Sequence, residues 1–178
     1  MIQKVILVLI NLIFGSMVLY SYYNGISKEP QLSAKLFGGI PSILHPIIIC
    51  FMFISAIGYL FFTYNFLVNA DVNKTLFFNK FGYSSLNLLY LLVLIPSMLW
   101  MNLTFKYMKS GNSLDWALIV AMLFCVGIAS IFLLLFTVDM KTEGNTYVYL
   151  ASVIGSSIFA FHTLFLDAII WTTFFNRI

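Results

Sequence analysis

Apolar residues occur in five long runs that are separated by short polar stretches. The runs cover residues 5–23, 47–68, 86–105, 116–138 and 147–175. Each is near or above the roughly 20 residues with which an α-helix crosses a bilayer. The stretches between them hold the Gly, Pro, Asn, Ser and charged residues that break or solvate a chain. The pattern predicts an all-α integral membrane protein, folded as a bundle of five transmembrane helices.

The composition supports a membrane environment. The chain is 62% hydrophobic and 8% charged, whereas roughly a quarter of the residues of a soluble domain are charged. The runs use most of the 178 residues, so we expect a single transmembrane bundle over residues 1–178, with the first run retained as a helix. Cys50 and Cys125 have no metal-like or redox-like spacing, and we expect free core thiols.

The charges are few and scattered. A net charge of +3 does not favour nucleic acid as a partner, so the expected partner is the lipid bilayer. Up-and-down threading puts four basic residues on one membrane side and five on the other: Lys4, Lys74, Lys80 and Lys141, against Lys28, Lys35, Lys106, Lys109 and Arg177. This small excess favours an outside N-terminus and a cytoplasmic C-terminus, without indicating which membrane.

All three tryptophans are predicted at one membrane face. Trp100 ends the third run, Trp116 begins the fourth and Trp171 lies near the end of the fifth, on the side of the first loop. Tryptophan commonly settles at the headgroup level, so an aromatic belt is one explanation. The other is the mouth of a pocket for a flat apolar ligand, because such sites combine aromatic walls with a few polar groups.

The fifth run carries a stripe of small and polar residues at helical spacing. It consists of Ser152, Ser156, Ala160, Thr163, Asp167 and Trp171. Small residues let another helix approach closely, so most of the stripe is expected to be packing. Asp167 is the one acidic residue deep inside a run, and an ionisable side chain there suggests a functional site. It either holds helices together or handles a ligand or a proton.

The two histidines are not expected to act as a pair of ligands. His162 precedes Asp167 by five positions, which turns it roughly 140° away on an α-helix. We therefore expect no direct acid–histidine pair, and His162 is interpreted as an interhelical hydrogen-bond partner. His45, next to Pro46, lies at the mouth of the second run, so its depth does not match that of His162 for joint ligation of haem or a metal. No metal site is predicted and no cofactor is assigned.

Motifs for catalysis are missing from the sequence. It has no Gly-x-Ser-x-Gly, His-Glu-x-x-His, phosphate-binding loop or Cys-x-x-Cys. No catalytic residue is predicted, and enzymatic activity is left open. Pro96 should kink the third run, where a neighbouring helix is expected to satisfy the freed carbonyl.

Several short segments resemble one family of membrane proteins. They are Pro41-Ser42-Ile43-Leu44-His45-Pro46 before the second span, Ser55-Ala56-Ile57-Gly58-Tyr59 within it, Trp116-Ala117-Leu118-Ile119 and Tyr147-Val148-Tyr149-Leu150-Ala151. Together with five spans and a long first loop, they are similar to segments of the tryptophan-rich sensory protein and translocator protein family. The corresponding first segment of that family reads Pro-Ser-Trp-x-Pro-Pro, so Ile43 and His45 depart from it.

The resemblance implies a homodimeric five-helix bundle that binds tetrapyrroles or sterols beneath the first loop. The ligand-binding role that the resemblance implies applies to the matched positions Pro41, Ser42, Pro46, Trp100 and Trp116. Asp167 has no assigned counterpart in the family.

Three functional hypotheses follow. The leading one is a protein that binds an apolar small molecule on the first-loop side, through Pro41, Ser42, His45, Pro46, Trp100, Trp116, Asp167 and Trp171. The alternative is an accessory or structural subunit of a larger membrane complex, and a homodimer is also open. The third is a transporter that uses Asp167.

Overall fold

The structure is a computed structural model that describes residues 2–140 and 145–175. The described residues form five long helices, α1 (Ile2–Lys28), α2 (Ser42–Val68), α3 (Tyr83–Ser110), α4 (Ser113–Asp139) and α5 (Thr146–Phe174), all long and apolar enough to cross a membrane. The predicted all-α five-helix bundle is confirmed, and the chain is a multi-pass membrane protein. Lys141 and Arg177, which contribute to the charge comparison, lie outside the described residues.

Local signals fix the helix ends. Pro46 lies in the first turn of the α-helical part of α2, His45–Val68, which follows a short 3-10 turn, so its missing N–H leaves no helical hydrogen bond unmade. Gly111 ends α3 at φ 64°, in the left-handed region that suits glycine. Asn112 and Asn145 cap α4 and α5 with side chains that accept backbone N–H groups at 2.9 and 2.8 Å.

The helices pack as an incomplete ring. α1 packs against α3, α3 against α4, α4 against α5, and α5 against α2. The ring is joined between α1 and α2 by the Tyr59 hydroxyl, which donates to Asn11 Oδ1 at 2.5 Å. Among the described helices, α1 and α2 make no extensive backbone contact with each other.

Two glycines bring α2 and α5 into close approach. A Cβ atom on Gly58 would lie 2.6 Å from the carbonyl oxygen of Gly155, and one on Gly155 would lie 2.7 Å from Gly58 Cα. Nearby, the buried Ser152 hydroxyl donates to the Phe61 carbonyl across the interface at 3.1 Å. The first half of the small-residue stripe therefore packs inside the chain.

Pro96 lies inside an unbroken α3. Proline at this position cannot donate to the Leu92 carbonyl, and the Cys125 thiol of α4 donates to that carbonyl at 3.7 Å. The expectation that a neighbouring helix satisfies the freed carbonyl is confirmed. Both cysteines are free, but Cys50 is exposed on α2, so its prediction as a core thiol is wrong. A position inside an apolar run does not specify which face of the helix is buried.

Candidate functional site

The second half of α5 is a π-helix rather than an α-helix. Phe161–Trp171 forms this segment of 11 residues. π-helical turns are rare, usually confined to a single turn, and frequent at functional sites. Because their hydrogen bonds run from residue i to residue i+5, side chains five positions apart lie above one another.

This geometry brings His162 and Asp167 together. His162 Nε2 lies 3.6 Å from Asp167 Oδ2. The prediction that the two cannot pair is wrong, because it assumed the 100° step of an α-helix. The signal in the sequence was the five-residue spacing between His162 and Asp167. It indicates a pair only when the helix is known to be a π-helix.

The pair retains unused capacity for hydrogen bonding. A separation of 3.6 Å is too long for a hydrogen bond, and Asp167 accepts none from the described residues. His162 Nδ1 is buried without a partner in the described part of the chain. The His162 side chain is 9% exposed, whereas that of Asp167 is 36% exposed. Asp167 is therefore an accessible acid inside a membrane span, lying seven residues, or about 10 Å, from the end of the helix.

The three tryptophans meet on the first-loop side, as their positions predict. The ring centroids of Trp100 and Trp171 are 5.5 Å apart, and those of Trp116 and Trp171 are 5.9 Å apart. Phe175 stacks on Trp171 at 4.4 Å. Trp116 and Trp171 are buried, whereas Trp100 is half-buried. Trp100 is thus the indole nearest to an open surface.

Tyr22 of α1 completes the site around Asp167. Its ring stacks on Trp100 at a centroid distance of 6.0 Å, and Trp100 in turn contacts Trp171, four residues after Asp167 on α5. Trp100 Nε1 is buried and has no hydrogen-bond partner among the described residues. The candidate site therefore combines two partly exposed aromatic rings with an acceptor, Asp167, and an unused N–H donor. Sequence patterns missed Tyr22, because three tyrosines at residues 20–23 gave no indication of which one faces inward.

The first loop is fastened over the same end of the bundle. Trp171 Nε1 donates to the Leu36 carbonyl at 2.7 Å, and the Gly39 N–H donates to the Phe174 carbonyl at 2.9 Å. His45 stacks on Phe37 at 4.0 Å, with its Nε2 2.8 Å from the Ile40 oxygen. His45 therefore belongs to the loop contacts and not to the tryptophan contacts.

The remaining predicted site residues lie at the margin. Pro41, Ser42 and Pro46 border the start of α2 outside the core, and the structure does not place them in the buried tryptophan cluster. An open depression of about 330 Å³ lies elsewhere, beside Lys4, Val68 and residues 69–73 of the second loop. Within the described residues, no group of three His, Cys, Asp or Glu side chains is arranged to hold a metal ion.

The resemblance to a known family stays a prediction. Comparisons of the chain with protein-family models, with curated proteins and with solved structures found no match. The function is therefore inferred from the geometry around Asp167, Trp100 and Tyr22.

Proposed function

We propose that this membrane protein binds a flat apolar small molecule on the first-loop side, of sterol-like or tetrapyrrole type. The observation that carries this proposal is the 36% exposed Asp167 side chain, which lies inside a span four residues before Trp171, the residue that contacts Trp100. An acid exposed to hydrocarbon is unfavourable, whereas one that meets the polar group of a ligand is the usual design of a small-molecule site.

The residues divide into two roles. Trp100 and Asp167 contact the ligand, since both are partly accessible. Trp116 and Trp171 are buried behind them: Trp100 packs against Trp171, and Trp171 stacks on Trp116. Pro41, Ser42, His45 and Pro46 border this end of the bundle at the start of α2.

Fluorescence titration in lipid nanodiscs tests this proposal. A fluorescent sterol and a porphyrin are added separately at micromolar concentrations, and tryptophan quenching is followed to saturation. We expect saturable quenching by at least one probe, with a higher half-saturation concentration for Trp100→Phe. Trp116→Phe is the matched control, because Trp116 is 8% exposed and behind the contact surface. Quenching that rises linearly with probe in the lipid, without saturation, would refute ligand binding.

A subunit role in a larger membrane complex is the second candidate. In the most apolar 18-residue stretch of each helix, 11% of the residues are buried in α1 and 22% in α2, against 33–39% in the other three helices. Faces left open on α1 and α2 suit contact with another chain or a second copy. Native electrophoresis after mild solubilisation separates the candidates: a discrete large assembly supports this one, and a monomer contradicts it.

For the orientation, we propose an outside N-terminus and a cytoplasmic C-terminus, supported by the small excess of basic residues on the C-terminal side. Epitope tags at the two termini, probed by protease in intact cells, test it. A cleaved C-terminal tag with a protected N-terminal tag would reverse the assignment.

A further inference from the structure

The two helices α1 and α2 pack on different partners. α1 packs against α3, and α2 packs against α5. The hydrogen bond from Tyr59 to Asn11 at 2.5 Å joins α1 to α2 partway along both helices. On the first-loop side of this bond, Tyr22 of α1 and Asp167 of α5 are both partly exposed. Trp100 connects them, because its ring contacts Tyr22 and also Trp171, four residues after Asp167. Because the described helices α1 and α2 make no extensive backbone contact with each other, a molecule dissolved in the bilayer would approach the carboxyl group between them.

The first loop limits access from above. Hydrogen bonds from Trp171 to Leu36 and from Gly39 to Phe174 fasten it to the end of α5, and the side chain of its Ile40 is buried. A molecule that reaches Asp167 therefore comes more readily from the side, already dissolved in the lipid. This favours an amphiphile over a water-soluble ligand.

The polar groups select the chemistry of that amphiphile. As a carboxylate, Asp167 accepts hydrogen bonds and donates none, and the described residues donate no hydrogen bond to it. A ligand carboxylate would place a second acid beside Asp167, which is unfavourable. A hydroxyl or a protonated amine would instead donate to it, while the flat body lies against Tyr22 and Trp100.

We propose that Asp167 recognises a hydrogen-bond-donating head group, hydroxyl or amine, on a flat amphiphile that reaches it from the bilayer between α1 and α2. This inference rests on the proposed ligand-binding function and narrows it. Of the two ligand classes, it favours the sterol-like class over tetrapyrroles that bear carboxylates.

The test compares matched fluorescent sterols that differ only at the head group. Full-length protein in nanodiscs is titrated with the 3-hydroxyl sterol, its 3-amino analogue and its 3-O-methyl ether, with energy transfer from tryptophan as the readout. A hydrogen bond to a charged group is worth about tenfold or more in affinity. We therefore expect the ether to bind about tenfold more weakly than the preferred donor.

Three variants separate recognition from misfolding. Asp167→Leu removes the acceptor and should make the ether and the hydroxyl sterol equal in affinity. Asp167→Asn keeps an acceptor and the side-chain shape, so it should retain the hydroxyl preference and lose any amine preference. Asp71→Leu removes an exposed acid from the opposite membrane face and should change nothing. Thermal unfolding of each variant establishes that it is folded.

The outcomes distinguish this inference from the proposed function. Saturable binding of all three sterols with equal affinity to the wild type would overturn the donor-recognition inference and leave ligand binding standing. A tenfold preference that survives Asp167→Leu would also overturn it, because another residue would then provide the acceptor. If no sterol saturates while the porphyrin does, the inference fails and the broader proposal survives. Absence of saturation by every probe overturns both.

Discussion

Gly58→Ala is expected to separate α2 from α5 and to destabilise the bundle. The added Cβ would lie 2.6, 2.7 and 2.9 Å from three backbone atoms of Gly155. Ordinary contacts of a Cβ atom begin at 3.4 Å, so the two backbones must move apart by close to 1 Å. No side chain can rotate away to relieve the overlap, since these three atoms all belong to the backbone.

The magnitude follows from what this movement disrupts. Overpacking a well-filled interior typically costs about 1–3 kcal/mol. The Ser152 hydroxyl shares its proton between the Val148 carbonyl of its own helix at 2.7 Å and the Phe61 carbonyl across the same interface at 3.1 Å, and a shift of this size removes the interhelical part. An interhelical bond in a membrane averages about 0.6 kcal/mol. We therefore expect Gly58→Ala to lower the free energy of unfolding by about 2 kcal/mol.

Unfolding in mixed micelles, with increasing denaturing detergent, measures this loss. Gly15→Ala is the matched control, because Gly15 also lies in a membrane span but a Cβ atom added there would meet no other atom within 4 Å. The double variant Gly58→Ala with Gly155→Ala should lose less than the sum of the two single losses, because the first substitution has already opened the interface. If Gly58→Ala unfolds at the same detergent concentration as wild type and Gly15→Ala, the close approach of α2 and α5 is refuted.

Two further predictions concern the packing of α3 and the first loop. Cys125→Ala should lower the free energy of unfolding by about 0.6 kcal/mol, because the Leu92 carbonyl loses its thiol donor. In a Pro96→Ala background the helix itself supplies an N–H to that carbonyl, so the loss should vanish. An equal loss in both backgrounds would contradict the role of the thiol. Trp171→Phe should speed amide hydrogen exchange in residues 35–40 about fivefold, as expected for the loss of one hydrogen bond of about 1 kcal/mol. Trp116→Phe is the control. Unchanged exchange in Trp171→Phe would show that the Trp171 bond to Leu36 does not hold the loop.

Much of the fold was predictable because a bilayer simplifies the problem. Length and hydropathy alone determine how many helices cross it, and α1 to α5 match the five apolar runs. Up-and-down threading also correctly placed Trp100, Trp116 and Trp171 together. Burial was harder to predict, since lipid-facing and core-facing side chains are equally apolar. Cys50 and Cys125 lie in similar sequence surroundings, yet one is exposed and the other donates to a carbonyl of α3.

The site itself was only partly predictable. Asp167 stood out because it is an acid inside an apolar run. Its relation to His162 depended on the helix type, and no simple residue pattern distinguishes 11 residues of π-helix from α-helix. Tyr22 depended on how α1 is rotated in the bundle, which is set by packing on α3.

Two of the described spans, α1 and α5, contain a π-helical segment. One is Asn11–Gly15 of α1, which begins with the asparagine that accepts from Tyr59. The other is Phe161–Trp171 of α5, which carries His162 and Asp167. π-helical turns are disfavoured relative to α-helix and persist where neighbouring contacts compensate. In α1 the compensation is visible in the bond to Tyr59. In α5 it is visible in Trp171, the last residue of the segment, whose indole donates to the Leu36 carbonyl at 2.7 Å. Asp167 itself accepts no hydrogen bond from the described residues, and the proposed ligand head group would supply one.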